Sequence, residues 1–385
     1  MLSFAFTEEQ EAYRVELARY ARTRLLPAYR DRAAKAEFPW DAHKELAGLG
    51  VLGIGLPEEF GGTGVNPDDP VTLGLATETL AYGDANVAAA PVQSGLVAAQ
   101  LAEGGSRAVR EQYIPELIAG DAVSGIAVTE PGSGSDAAGL RTVAEPVPGG
   151  WRLTGEKIAI THATCAKTML IYARRPGSTR SKGISCFLLP MASPGVSVGH
   201  LPGMGCLPLG WGSVAMDSAF VPADHLVGEE GRGFGAAMHH FDFSRSALGL
   251  LCLGAAQASL DEAAQYAQQR EAFGQKIGEF QGVSFPLAEH ATYLEAARLL
   301  CYRALWARQV GQPHTAFAAM SKWWPPQVSL DAIQAAMKIH GNLGYSTELP
   351  LQQRYRDVMA YLVADGTSEI QKRIIAKDVF QATAG

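Results

Sequence analysis

The hydrophobic pattern of this chain changes its period twice, and that change limits the folds open to it. Residues 1–120 carry apolar positions at helical spacing, residues 121–230 carry short β-prone runs, and residues 231–385 return to helical spacing. The β-prone runs, separated by Gly, Pro and Ser, are Trp151–Leu153, Met169–Tyr172, Ile184–Leu189 and Val214–Asp217. The sequence therefore predicts an α+β protein in which two helical domains flank a middle antiparallel β domain.

Local signals indicate several boundaries of the N-terminal helices. Thr7, followed three residues later by Gln10, predicts a capped helix start. Pro57–Pro70 is rich in Gly and Pro and predicts a loop. The pattern after that loop predicts a further helix from near Val71 to Tyr82.

Prolines are expected to interrupt the C-terminal helices. One long stretch has a stripe of mostly apolar residues three or four positions apart: Phe280, Val283, Leu287, Ala291, Leu294, Arg298, Cys301 and Leu305. Pro286 is expected to kink or break this helix, and Gly311–Pro313 to end it. Pro325 and Pro326 are expected to mark the next boundary.

Composition and charge exclude several classes of protein. The 385 residues, 47% of them hydrophobic, suffice for one large or two to three small domains. The net charge is −7 and there is no basic stripe, so nucleic acid is not an expected partner. The five cysteines are scattered and odd in number, which fits a reducing cytoplasm and argues against disulfides or a metal site. Because no uncharged apolar run reaches about 18 residues and the N-terminus lacks a signal-peptide pattern, a membrane span is not expected.

A polar, glycine-containing run follows the first β-prone segment. Val123–Val128 predicts a short buried strand, and Thr129–Asp136 then brings three hydroxyls, two glycines and a proline together. A strand end of this kind can offer backbone N–H groups and hydroxyl donors to a flat polar ring or to phosphate oxygens. Turns use the same residues, so an ordinary turn is the alternative interpretation.

Five stretches of the chain resemble motifs of the flavin-dependent acyl-CoA dehydrogenase family. They are Ala127–Gly139 (AVTEPGSGSDAAG), Phe241–Arg245, Gln269–Gly274 with Phe280–Gln281, His340–Asp357, and Asp365–Gln371 (DGTSEIQ). The resemblance covers nearly the whole chain. It implies a helical domain over residues 1–120, a β domain over 121–230, and a C-terminal four-helix-bundle domain over 231–385.

The resemblance also implies a reaction. Members of the family bind FAD and oxidise an acyl thioester, here acyl-CoA or an acyl-carrier-protein thioester. A carboxylate removes the α proton while the β hydrogen leaves as hydride to flavin N5. An electron-transfer flavoprotein or similar acceptor, and a homotetramer or at least a dimer, are implied as well. The alternative functions are a flavin oxidase or monooxygenase that acts on a non-thioester substrate, and a non-catalytic subunit that keeps the fold.

Residue by residue, the resemblance assigns roles across the chain. Asp365 and Arg245 would be the catalytic residues, with Asp365 as the base and Arg245 in the motif that opens the C-terminal domain. The cofactor-binding residues implied are Thr129, Ser135, Thr161, Arg270, Phe273, Lys338, Gly341 and Thr367. Of these, Thr129 and Thr161 would bind the flavin ring and Ser135 the pyrophosphate, while Thr367 would touch the cofactor beside the base. Arg270, Phe273 and the Lys338–Gly341 region would reach the FAD of a neighbouring subunit. Without the resemblance, Arg270 would be interpreted as a solvated helix charge and Phe273 as a core aromatic.

The chain departs from the family pattern at the base. The usual glutamate is Asp365, whose side chain is one methylene shorter and whose reference pKa is nearly equal. Some branches place a glutamate before the motif's arginine, but here that residue is Ser244. The alternative interpretation is that Asp365 only caps the last helix.

Two further departures concern the cofactor site. Ala159 stands where the family commonly has an aromatic residue on the flavin ring, and His162 stands in place of the common asparagine. Lys338 and Asn342 replace a glutamine and a glycine of the second signature. A lone histidine is more often a surface or core residue than a catalyst. Together the departures predict a specialised substrate that is short, branched, cyclic or carrier-bound.

Overall fold

The structure is a computed structural model that describes residues 4–63 and 69–383. Within them the N-terminal region consists of α1 (Glu8–Tyr20), continued by a π-helical segment (Ala21–Leu25), α2 (Leu26–Lys35), α3 (Trp40–Gly48), α4 (Pro70–Ala81), α5 (Ala85–Gly104) and α6 (Arg107–Ile118).

The capping box predicted at Thr7 is present. The Gln10 amide donates to Thr7 Oγ1 at 3.2 Å, and the Thr7 amide donates to Gln10 Oε1 at 3.1 Å. The helix predicted near residues 71–82 is α4. Of the predicted loop over residues 57–70, residues 64–68 lie outside the described part of the chain.

The middle region is one sheet. In the described residues its strands are β1 (Ser124–Ala127), β2 (Val143–Val147), β3 (Gly150–Ile160), β4 (Thr168–Arg174), β5 (Ile184–Pro190), β6 (Val196–His200), β7 (Gly212–Pro222) and β8 (Leu226–Val227). The order is β6-β7-β3-β2-β4-β5-β8, and β1 pairs with β4. The four β-prone runs lie in β3, β4, β5 and β7, and the predicted strand over residues 123–128 is the buried β1.

The prediction of an antiparallel sheet is wrong in one respect. Strands β1 and β2 both pair with β4 in the parallel direction, while the other pairings of the sheet are antiparallel. The β2–β3 hairpin lies between β1 and β4 in the chain, and this crossover lets β1 run parallel to β4. Strand composition alone does not distinguish the two directions.

The C-terminal region is built on long helices. Its elements are α7 (Gly233–Gln269), the hairpin β9 (Glu271–Ala272) and β10 (Gln275–Lys276), α8 (Gln281–Gln309), α9 (Thr315–Ile339), α10 (Asn342–Tyr345), α11 (Leu351–Met359) and α12 (Ser368–Thr383). Helix α7 packs on α8 and α9, and both α8 and α12 pack on α9. No helix in the described ranges combines the length and apolar character needed to cross a bilayer.

The predicted effects of the prolines have different outcomes. Helix α8 ends at Gln309, just before Gly311–Pro313, as predicted, but it runs through Pro286, so the predicted break there is wrong. Helix α9 runs through Pro325 and Pro326, so the boundary predicted there is wrong. Tertiary packing explains the continuity of α9, because both of its prolines are buried against neighbouring helices. On the facing helix α7, a Cβ at Gly249 would lie 2.4 Å from the Ser321 carbonyl oxygen and 3.4 Å from Pro325 Cβ. The glycine therefore allows α7 to approach α9 closely.

A single buried carboxylate joins the three regions. Asp357 of α11 is fully buried, and its Oδ2 accepts from the Tyr29 hydroxyl of α2 at 2.5 Å and from the Asn86 amide of α5 at 2.9 Å. Its Oδ1 accepts from Gln353 Nε2 at 2.8 Å and from the backbone amide of Cys206, between β6 and β7, at 2.6 Å. Burial raises the pKa of the Asp357 carboxyl, and the four donors oppose that rise.

We expect Asp357→Asn to destabilise the protein by about 2–4 kcal/mol, because an amide has one acceptor oxygen and would turn its NH₂ group towards two of the donors. Urea unfolding followed by circular dichroism, together with the thermal midpoint, measures this loss. Asp217→Asn, at an exposed position of β7, is the matched control and should change stability little. Equal stability of the two variants would contradict the assigned role of Asp357.

Candidate active site

A buried ion pair fixes the loop that follows β1. Lys157 Nζ of β3 donates to Glu130 Oε1 at 2.8 Å and to the Val128 carbonyl at 3.0 Å. The Glu130 carboxylate also accepts from the amides of Arg141 (2.5 Å) and Thr142 (2.9 Å) and from the Thr142 hydroxyl (2.6 Å). Burial lowers the pKa of Lys157 to about 8, and the attraction of Glu130 limits the drop. Burial acts to raise the pKa of Glu130, but Lys157 and the other donors outweigh it and lower that pKa.

The ion pair brings Thr129 and Thr161 to the same edge of the sheet. The Ile158 amide of β3 donates to the Thr129 carbonyl at 3.0 Å. Thr161 follows β3 directly, and a Cβ at Gly125 of β1 would lie 2.7 Å from its carbonyl oxygen. Neither hydroxyl is hydrogen-bonded to a residue that the structure describes. Both side chains therefore remain available to a ligand.

The loop itself leaves Ser135 exposed. The Ser133 hydroxyl, by contrast, donates to the Asp136 carbonyl, and Ser133 and Glu130 exchange backbone hydrogen bonds of 3.0 Å. At Gly132 and Gly134 a Cβ would meet no atom within 4 Å, so this side of the loop is open. Of the two serine hydroxyls of this loop, that of Ser135 therefore lies at the open side of a firmly held turn, whereas that of Ser133 is used within the turn.

The residues that depart from the family pattern beside Thr161 have different environments. Ala159 and His162 both have left-handed backbones, with φ of 60° and 66°. Ala159 is exposed, which leaves the space expected from the loss of an aromatic ring. His162 is fully buried, with Nδ1 3.0 Å from the Ser124 carbonyl oxygen and its ring 5.4 Å from that of Phe38. His162 is therefore a core residue.

Asp365 lies in a kinked loop before α12. Its φ is 55°, followed by 89° at Gly366, so two successive residues are left-handed. The half-buried carboxylate accepts a hydrogen bond from the Ser244 hydroxyl through Oδ2. The Ile370 amide at the start of α12 donates to Thr367 Oγ1 at 3.4 Å, so the cap contact belongs to Thr367 and not to Asp365.

The Phe241–Arg245 motif in α7 supplies the hydrogen-bond partner of Asp365. The Ser244 hydroxyl is also 3.1 Å from the Phe241 carbonyl, so its one proton has two acceptors. Arg245 Nη1 donates to Asp242 Oδ1 at 2.5 Å, and the Thr315 hydroxyl donates to Asp242 Oδ2 at 2.6 Å. The structure therefore places Arg245 next to the partner of Asp365, with its guanidinium engaged by Asp242. Sequence reasoning missed the contact between Ser244 and Asp365, which lie 121 positions apart.

Sequence reasoning also missed Lys322, whose side chain is fully buried near this loop. The available signal is a lone lysine in the apolar stretch Ala318–Trp324. A charged group at such a position is uncommon unless it is paired or functional.

The residues assigned to a neighbouring subunit lie at exposed helix ends. Phe273 at the tip of the β9–β10 hairpin is 97% exposed, so the interpretation as a core aromatic is wrong for the single chain. Arg270 is also exposed. Tyr266, one turn before Arg270, stacks on His340 at 4.4 Å between ring centroids, which brings the end of α7 to Gly341 at the end of α9.

A cavity of about 510 Å³ lies beside the Thr129–Asp136 loop. Asp136, Arg141, Arg174 and Arg180 are among the residues that line it. Arg174 is structural, because its guanidinium donates to the carbonyls of residues 138, 140, 178 and 180. Arg141 and Arg180 are exposed and leave the cavity a cationic rim. The basic run between β4 and β5 was the sequence signal for this feature.

Family models match most of the chain. "Acyl-CoA dehydrogenase, N-terminal domain" matches residues 7–121, the middle-domain model residues 125–219 and the C-terminal-domain model residues 231–380. The short-chain specific acyl-CoA dehydrogenase of Rattus norvegicus mitochondria is 33% identical over 97% of this chain and 90% of its own length. Benzylmalonyl-CoA dehydrogenase of Aromatoleum aromaticum is 34% identical over 98% and 100%. A subunit of the caffeyl-CoA reductase–Etf complex of Acetobacterium woodii is 32% identical over 96% and 98%.

Solved structures agree with the fold. Butyryl-CoA dehydrogenase from Megasphaera elsdenii has a TM-score of 0.94 at 31% identity, over 98% of this chain and all of that one. PigA with FAD and proline has a TM-score of 0.94 at 27% identity, over 98% and 99%. The prolyl acyl carrier protein oxidase AnaB has a TM-score of 0.92 at 27% identity, over 97% and 100%.

The buried histidines generate a prediction about pH. Burial lowers the pKa of both His162 and the neighbouring His43 of α3 to about 4. Below about pH 6.5 these histidines bind protons in the unfolded chain but not in the folded chain, so their contribution to the free energy of unfolding should fall from pH 6.5 to 4 and then level off. Each histidine contributes at most about 3 kcal/mol to this fall.

Urea unfolding of the wild type and of His43→Gln/His162→Asn between pH 4 and 8 checks the prediction, and the variant should lose less stability on acidification. His200→Gln, at an exposed position of β6, is the control and should follow the wild type. Parallel curves for the double variant and the wild type would disprove the assignment.

Proposed function

The chain belongs to the acyl-CoA dehydrogenase family, and from this premise we propose that it catalyses the α,β-dehydrogenation of an acyl-CoA thioester with Asp365 as the base. Membership makes it a flavoprotein oxidoreductase that acts on CH–CH bonds, with FAD as cofactor. The contact between Ser244 and the Asp365 carboxylate is the observation that carries the proposal. It turns the carboxylate towards α7 and leaves the helix cap to Thr367.

The residues present fit FAD. The hydroxyls of Thr129, Thr161 and Ser135 have no hydrogen bond to described residues, and the glycines of the loop leave it open. We assign Thr129 and Thr161 to the flavin ring, Ser135 to the pyrophosphate, and Thr367 to the cofactor beside the base. When bound, FAD supplies the acceptor for the β hydrogen, which leaves as hydride.

Asp365 would take the α proton. Its Oδ2 is held by Ser244, which leaves Oδ1 for the proton and limits the rotation of the carboxylate. The shorter side chain makes the backbone position critical, because an error of about 1 Å in the base can cost about 10²-fold in rate. The left-handed φ of Asp365 is a conformation that persists only where the surrounding structure imposes it, as at many functional sites.

The cationic cavity supports a phosphate-bearing thioester. Arg141 and Arg180 line it on the side of the loop that holds Asp136, next to Ser135. Guanidinium groups bind phosphate oxygens through paired hydrogen bonds. We therefore assign this cavity to the phosphates of CoA, and we assign a specialised acyl group to the site because exposed Ala159 leaves space beside Thr161.

Exposed residues support a homo-oligomer, a tetramer or at least a dimer. Arg270, Phe273, Lys338 and Gly341 all lie at the surface of the single chain, where they can reach the cofactor of a neighbouring copy. Helix α8 also exposes large apolar side chains: Phe285, Tyr293, Leu299 and Trp306. The Etf-complex subunit among the relatives supports an electron-transfer flavoprotein as the acceptor. The five scattered cysteines support a location in the reducing cytoplasm.

A second candidate is a flavin oxidase that acts on a carrier-bound or non-thioester substrate. The exposure of Ala159 favours it, because an open side of the flavin site admits oxygen or a bulkier substrate. The similarity to a carrier-protein oxidase is compatible with it. Fast reoxidation of the reduced holoenzyme by O₂ would support this candidate, and slow reoxidation with fast transfer to an electron-transfer flavoprotein would support the dehydrogenase.

We expect one class of acyl-CoA to bleach the flavin bands of the purified holoenzyme under anaerobic conditions. The panel contains straight-chain, branched, cyclic and dicarboxylic acyl-CoAs, and absorbance is recorded at increasing concentration of each. A flavoprotein that none of them bleaches would contradict the acyl-CoA assignment and favour the second candidate.

Asp365→Asn should lower the rate of flavin reduction by about 10²-fold or more, because the amide cannot accept the α proton. FAD content and the thermal midpoint should remain those of the wild type. Asp378→Asn, at an exposed position of α12, is the matched control. Wild-type reduction by Asp365→Asn would remove Asp365 from the mechanism.

A further inference from the structure

Lys322 of α9 is a fully buried lysine without an ion pair. Its Nζ donates to the Tyr361 carbonyl at 2.5 Å and, at a longer 3.4 Å, to the Gly366 carbonyl. Among the described residues no carboxylate lies within ion-pair distance of this ammonium. The two carbonyls lie on either side of Asp365 in the chain.

Burying this charge is costly for the fold. Removal from water lowers the pKa of Lys322, and among its charged neighbours Asp365 raises it while Arg245 lowers it further. An apolar side chain of similar length would fill the same space without this cost. Packing alone therefore does not explain a buried lysine that donates to backbone carbonyls on either side of Asp365.

A second side chain holds the same loop from the other side. Gln371 Nε2 of α12 donates to the Asp365 carbonyl at 3.1 Å and to the Gly366 carbonyl at 3.3 Å. Gly366 has a φ of 89°, which favours glycine, and a Cβ there would lie 2.7 Å from that nitrogen and displace the Gln371 amide. Lys322 and Gln371 together fix the carbonyls of residues 361, 365 and 366, and with them the left-handed backbone of Asp365.

We propose that Lys322 is a positioning residue for the base, one that clamps the backbone around Asp365 without binding its carboxylate. The proposal rests on the proposed role of Asp365. The absence of direct contact keeps the carboxylate oxygens available, one for Ser244 and one for the substrate.

The first readout does not depend on turnover. Hydrogen–deuterium exchange with mass spectrometry is measured on the holoenzyme for peptides that cover residues 361–371. In Lys322→Met this segment should exchange about tenfold faster or more, because two charge-assisted hydrogen bonds are lost. Ser321→Ala is the matched control, since Ser321 is the buried neighbour on α9 and its hydroxyl bonds to the carbonyls of Leu300 and Phe317 instead of the 361–366 segment.

The second readout is exchange of the α protons of butyryl-CoA in D₂O, followed by proton NMR on the holoenzymes between pH 5 and 9. Lys322→Met should exchange about tenfold more slowly than the wild type across this pH range. Gln371→Ala removes the other half of the clamp, and should also slow exchange. In an Asp365→Asn background, Lys322→Met should add little.

The outcomes separate the two proposals. If Asp365→Asn exchanges like the wild type, the proposed role of Asp365 fails. If Asp365→Asn is slow but Lys322→Met keeps the wild-type rate, the positioning role of Lys322 is overturned. An equal loss from Lys322→Met in both backgrounds would assign Lys322 to folding alone. Should Lys322→Met fail to fold, Lys322→Gln takes its place, because the amide keeps a donor for the clamp and loses only the charge.

Discussion

The buried carboxylate of Asp357 is the interaction on which the assembly of this chain depends. It receives donors from α2, α5, α11 and the loop between β6 and β7, which belong to all three regions. A buried anion of this kind is tolerated only when its oxygen atoms accept hydrogen bonds, so all four donors have to be in place in the folded chain. The three regions are therefore held in one relative position. This fixes the geometry of the candidate site, because the site contains residues of both the sheet and the C-terminal helices.

The same principle operates at a smaller scale within the site. The Glu130–Lys157 pair fixes the loop after β1, and Lys322 and Gln371 fix the loop before α12. In each case a buried polar side chain ends on backbone groups, and so constrains a segment that has no regular hydrogen bonding of its own. Exposed hydroxyls and the Asp365 carboxylate are then carried on segments that cannot relax independently of the core.

The sequence predicts the order of helical and β regions because periodicity is local and is read within one element. The Thr7 capping box and the buried strand β1 were predicted for the same reason. It mispredicts Pro325 and Pro326, whose helix is maintained by packing against α7. It also misses the parallel pairing of β1, because each residue of β1 pairs with one 44 positions away. Motifs indicated Thr129, Thr161 and Asp365 as candidates, but no local pattern pairs Ser244 with Asp365 or points Lys322 at Tyr361. Those contacts form only when α7 and α9 pack against the loop that precedes α12.

The left-handed backbone at Asp365 has a consequence for how this position can vary. Among residues with a side chain, aspartate and asparagine enter that region more readily than most, because the short polar group can bond locally. The aspartate side chain is one methylene shorter than that of glutamate, but aspartate suits the left-handed backbone at this position. Substituting the longer glutamate would put a residue that tolerates this backbone less well into the kink. The left-handed backbone and the carboxylate chemistry therefore both restrict the amino acids that suit position 365.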